Sequence, residues 1–179
     1  YVAWAPNQSG EGGYEASQVF LFDQPTFQPD ESLRREGNPT SRGRNLFSLE
    51  GQSLEQLLPL EATNSTRITL QNTGSFADRF VLTATAETGP WSVRFFETSS
   101  GAEIMGQIIG GGWATGDLML GEKQELQLVF QPGIPTGPSE APIQKVILKA
   151  TSVSDPTKSD TVQIVAALDA DADELPDAW

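Results

Sequence analysis

The stretch that decides the fold is Asn64-Ser65-Thr66-Arg67-Ile68-Thr69-Leu70-Gln71-Asn72-Thr73-Gly74-Ser75-Phe76-Ala77-Asp78-Arg79-Phe80-Val81-Leu82-Thr83-Ala84. Ile68 and Leu70 alternate with polar neighbours, and Phe80, Leu82 and Ala84 repeat the pattern after the break. An extended chain sends successive side chains to opposite faces, so this spacing predicts two strands, each burying one face. Asn72-Thr73-Gly74 supplies turn chemistry at the end of the first. Asp78, just before the second, is placed to accept backbone N–H groups.

The same alternation continues downstream. Trp91, Val93 and Phe95 form one set, and Leu126, Leu128 and Phe130 the next. Val146, Leu148 and Ala150 follow, then Val162, Ile164 and Ala166. Turn signals separate them at Thr88-Gly89-Pro90, Leu120-Gly121-Glu122 and Asp155-Pro156. Such segments predict two antiparallel sheets packed face to face, with Phe80, Leu82, Trp91, Val93, Leu126, Leu128, Val146, Leu148, Val162 and Ile164 between them. Long amphipathic helices are absent from the pattern, and Ser53 to Leu58 reads as one short helical turn before Pro59.

Upstream, residues 1–27 read as an arm rich in Gly, Gln, Ser and Pro, with at most one strand at Val19-Phe20-Leu21-Phe22. A chain starting at Tyr1 reads as a processed product or a piece of a longer protein. The segment from Arg34 to Arg44 holds Arg34, Arg35, Arg42 and Arg44, four of 11 basic residues. It suits an anion-binding loop or a solvated loop that offsets an acidic surface. Its Gly and Pro turns, without interleaved aromatics, favour the second. Gly110-Gly111-Gly112-Trp113-Ala114-Thr115-Gly116 lacks the Lys-Ser/Thr pair of a phosphate loop and reads as a wide turn with positive φ.

Composition narrows the function classes. The 179 residues are 37% hydrophobic and 20% charged, which suits one folded domain with an appendage. Eleven basic against 24 acidic residues give a net charge of −13, which argues against nucleic acid and anionic lipid as partners. No 18-residue apolar run is present to span a membrane as a helix. Without His or Cys, the chain has no thiol nucleophile, no disulfide and no His-based triad. An enzyme would need paired carboxylates or a Ser–Lys pair, and no acid stands isolated in an apolar run where its pKa would rise. Lys149 lies in a strand between apolar neighbours, where alternation puts it on the outer face rather than in a crosslink.

Taken with Gly89-Pro90-Trp91-Ser92-Val93, Gly112-Trp113 and Leu120-Gly121-Glu122, the Asn72-Thr73-Gly74 and Asp78-Arg79-Phe80 signatures resemble the immunoglobulin-like repeat domains of large bacterial secreted and surface proteins. The resemblance covers residues 28–168 and implies an all-β fold, an immunoglobulin-like antiparallel β-sandwich, more firmly than any activity. It also implies a secreted or cell-surface location.

The last segment, residues 169–179, is Asp169-Ala170-Asp171-Ala172-Asp173-Glu174-Leu175-Pro176-Asp177-Ala178-Trp179. Three Asp at positions 1, 3 and 5, the Leu175 carbonyl at 7 and Asp177 at 9 suit the oxygen shell of calcium. The run is similar to thrombospondin type-3 calcium repeats. It departs from them in Glu174, where a Gly is usual, and in the bidentate Glu of position 12, which would be the residue after Trp179. The plain alternative is an acidic, solvated linker.

Two functions follow. One is a non-catalytic structural or adhesive module that spaces or displays neighbouring domains of its parent chain, stiffened by calcium bound to Asp169, Asp171, Asp173, Leu175 and Asp177, with protein or glycan surface ligands as further partners. The other is a carbohydrate-binding module whose exposed Trp4, Tyr14, Trp113 and Trp179 would stack on sugar rings.

Overall fold

In the computed structural model, residues 26–60, 62–133 and 143–169 are described. They form nine strands and one short helix: β1 Pro29–Arg35, β2 Ser53–Leu58, β3 Asn64–Asn72, β4 Phe80–Ala86, β5 Ser92–Glu97, α1 Met105–Gly110, β6 Trp113–Ala114, β7 Lys123–Gln131, β8 Ile143–Ser152 and β9 Ser159–Leu168. One sheet has the order β1-β3-β7-β5 and the other β2-β9-β8-β4-β6. The fold is an all-β, immunoglobulin-like sandwich. All pairings are antiparallel except β2 with β9, which run parallel with Leu54 beside Ile164.

Alternation explains the core. Ile68, Leu70, Phe80, Leu82, Leu126, Leu128, Val146, Leu148, Val162 and Ile164 are all fully buried in one cluster between the sheets. Their polar neighbours face outward, and Lys149 is exposed as expected. Trp91 and Val93 differ from the expectation, since both are only half-buried against the core. They do share a face with the fully buried Phe95, but β5 is the edge strand of its sheet, so its first half is less covered.

Three local readings are corrected. Ser53–Leu58 is a strand rather than a helical turn. Its Leu54, Gln56 and Leu58 point inward with period two, and the open edge of β9 offers it a ladder that one isolated helical turn could not match. Pro29–Arg35, where the alternation predicted no strand, is a full strand along β3. Finally, Met105–Gly110 makes a short helix that buries Ile108, and the glycine run turns out of it. There Gly112 takes φ +107 with the Val81 side chain 2.6 Å from where a Cβ would stand, so the positive φ expected of this run falls on a residue that only Gly can fill.

The two ends of the sandwich matter for function. Thr26 exchanges backbone and side-chain bonds with Ser75, just beyond the Pro29–Asn72 pair. The Glu31 amide donates to Asp160, which fixes the start of β9 at that same pole. β9 then runs nine residues to Asp169, whose amide donates to the Leu58 carbonyl at 3.0 Å. At about 3.3 Å per residue, Asp160 and Asp169 lie about 30 Å apart, so the chain leaves at the pole opposite to the one it enters.

Candidate functional site

Asn72 and Asp78, the two polar residues of the deciding stretch, are bound up in the fold. Asn72 is fully buried; its side-chain amide donates to the Phe76 and Leu118 carbonyls, each at 2.8 Å, and its Oδ1 accepts the Gly74 amide at 2.9 Å. It thereby joins the 73–78 and 118–121 loops at the pole where the chain enters. Gly74 is required there because a Cβ would lie 2.3 Å from the Thr26 carbonyl. The Asp78 carboxylate accepts the Arg79 amide at 2.8 Å, the Ser154 amide and hydroxyl, and the Ser152 hydroxyl. Both side chains are satisfied by their own chain, which leaves no valence for a ligand.

Burial of acids is where the sequence reading fails. Asp30, Glu31 and Asp160 are all buried, although no acid was expected with a raised pKa. Alternation puts Glu31 on the inward set of β1 with Leu33, and Asp160 on the inward set of β9 with Val162. The fold brings together two residues 129 positions apart, which no local pattern shows. Burial, then the neighbouring Asp160 charge, pushes the Glu31 carboxyl well above the ordinary Glu range. Both its oxygens lack a hydrogen-bond partner. Burial also raises Asp160, against the lowering pull of the Glu31 amide and of Gln52, whose Nε2 donates to Oδ1 at 2.8 Å. Asp30 is pushed up to about 6 by burial, although its Oδ1 accepts the Asn45 amide at 2.7 Å. Glu31 and Asp160 are 0% exposed, so no substrate reaches them, and a carboxylate pair without access cannot act as acid and base.

The expected calcium ligands divide. Asp169 is buried at the end of β9 and tied to β2 through its amide. Asp171, Asp173, Leu175 and Asp177 lie outside the described residues, as do Trp4, Tyr14, Trp179 and the Val19–Phe22 run. Among the described residues no group of three or more acids is arranged to hold a metal ion. Of the aromatics proposed to stack on sugars, only Trp113 is described. It stands opposite Leu82 in the register of β4 and β6 and lies half-buried against the core.

No family model matches the chain, and no curated protein matches it. Several solved structures share its outline at low similarity. A FixG-related protein from Vibrio parahaemolyticus is 14% identical with a TM-score of 0.43, over 78% of this chain and 95% of that one. A PapD-like domain of human CEP192 is 12% identical with a TM-score of 0.42, over 89% and 99%. A CARDB domain from Pyrococcus furiosus, solved in complex with di-metal ions, is 9% identical with a TM-score of 0.37, over 84% and 100%. The fold assignment rests on the strand order and core described above.

Proposed function

We propose that this chain is a non-catalytic spacer or display module of a secreted or cell-surface protein. The observation that supports it most is the threading of the sandwich: the chain enters at Thr26 on one pole and leaves at Asp169 on the other, with sequence continuing on both sides. A unit threaded end to end holds its neighbours apart by its own length. Glu31 and Asp160 support the non-catalytic part, because they lie sealed between the sheets.

In this reading the acidic tail is a calcium-stiffened joint. Asp169, Asp171, Asp173 and Asp177 would supply carboxylates and Leu175 a carbonyl, the hard oxygen donors calcium prefers. Four clustered carboxylates repel one another, and a divalent ion removes that repulsion and fixes the direction in which the next segment departs. The first donor is already anchored, since Asp169 is held at the strand end. Small-angle scattering of the chain extended by its native flanking residues tests this. Calcium should restrict the joint to one geometry, narrowing the spread of interdomain distances, and chelation should broaden it again, with Asp171→Ala abolishing the response. A profile indifferent to calcium would leave only a solvated linker.

A further inference from the structure

The outer face of the β1-β3-β7-β5 sheet carries a polar pocket of about 200 Å³ that none of the foregoing uses. The strand registers build its floor in rows. Asp30, Gln71 and Lys123 lie side by side across β1, β3 and β7, and Ser32, Thr69 and Glu125 form the next row. The loop after β1 folds back along the strand, where the Arg42 and Leu33 backbones bond to each other at 2.8 Å in both directions. That return brings Arg44 into the pocket lining, which Arg34 and Lys123 share from the strands.

The charge arrangement is unusual for this molecule. In a chain of net charge −13, three cations, two from the Arg34–Arg44 segment and one from β7, line one pocket. Arg34, Arg44 and Lys123 take part in none of the ion pairs found among the described residues, although the Arg44 charge acts on the Asp30 carboxylate of the same pocket. The two acids of the lining are already engaged. Glu125 accepts Arg67 at 2.9 Å, and Asp30 accepts the Asn45 amide. Around the cations stand the hydroxyls of Ser32, Ser41 and Thr69 and the amide of Gln71. A pocket of this volume holds about seven waters at about 30 Å³ each, room for a ring-sized polar ligand rather than a bare ion alone. Long-range repulsion by the acidic surface is screened within about 8 Å at physiological salt, so the local cations decide what is held.

We infer that this pocket binds one anionic sugar residue, with Arg34, Arg44 and Lys123 taking its carboxylate or sulfate and the hydroxyls and Gln71 taking its ring hydroxyls. Arg presents a planar fork of donors to an oxyanion, and Lys adds a mobile point charge. This site is independent of the tryptophans and of the calcium joint. It recasts the Arg34–Arg44 segment, where turns alone had favoured a merely solvated loop.

The test is an amide-shift titration of the whole chain with sodium glucuronate, glucose 6-sulfate, glucose and sodium sulfate at constant ionic strength. One or both acidic sugars should give saturable shifts at Ser32, Thr69 and Lys123. Glucose should give none, and sulfate should bind at least tenfold more weakly. The double variant R44Q/K123Q, at exposed positions, should keep its far-ultraviolet spectrum and lose at least tenfold in affinity for the acidic sugar. The inference is overturned if neither acidic sugar binds, if glucose or sulfate binds as well as they do, or if the double variant binds unchanged.

Discussion

Glu31→Gln is the most informative single substitution, because it keeps the volume of a fully buried side chain and removes only its ability to ionise. In the unfolded chain this carboxyl titrates at its ordinary 4.5; in the folded protein, burial and the Asp160 charge hold the proton to higher pH. A folded pKa above the unfolded one means the native state binds more protons, so stability is full below pH 4.5 and falls as pH rises towards the folded pKa. Over that window one retained proton contributes a slope of about 1.4 kcal/mol per pH unit. Asp30 and Asp160 act with the same sign, Asp30 with a smaller contribution because solvent partly screens it. Glu103, Asp117 and Asp155 are lowered and act oppositely. Their contribution is present above the unfolded pKa and lost as pH falls through the folded one. The protein should therefore be more stable near pH 5 than near pH 7. Urea unfolding at pH 5, 6 and 7 and fixed ionic strength should show Glu31→Gln less pH-dependent than the parent and gaining stability relative to it as pH rises. A variant with the parent's slope, or one losing stability relative to the parent as pH rises, would refute the reasoning.

Three further outcomes follow from the packing. Phe80→Ala removes a fully buried ring and should cost about 3–5 kcal/mol by denaturant midpoint, whereas Trp91→Ala, half-buried on the edge strand, should cost clearly less. Asn72→Ala leaves the Phe76 carbonyl and the Gly74 amide without their partner, at about 1–3 kcal/mol for each group that stays buried, while the Leu118 carbonyl keeps the Asp78 amide; hydrogen exchange should rise at both loops of that pole before it rises in the core strands. Gly112→Ala must strain φ +107 and displace Val81, so its melting temperature should fall, while Gly101→Ala, at φ +69 with nothing near its Cβ, should fall less.

The strands around the deciding stretch were legible because each buries one face, and period two is visible wherever a sheet has a wet side. Depth was not legible. Trp91 and Phe95 share a face, yet only the neighbours of β5 decide which is sealed, and those neighbours come from β7 and from residues 102–104. β2 was misread because Ser53–Leu58 also satisfies a helical spacing, and its true partner is the open edge of β9, 110 positions away for Ser53 and Gln163. The buried acids were invisible for the same reason: an inward Glu31 at a strand start looks like a surface charge until Asp160 arrives from the far end of the chain. The polar pocket was half-legible, as a basic segment whose third cation, Lys123, belongs to another strand.

The spacer reading stands on the opposite polarity of the two chain exits. Spin labels at the exposed positions Ser75 and Leu60 sit beside the entering and leaving ends, and neither position is part of the core. The separation by pulsed dipolar spectroscopy should exceed about 30 Å, the run of β9 at about 3.3 Å per residue, with a narrow distribution. A distance below about 15 Å, with both ends on one face, would contradict a module that holds its neighbours apart.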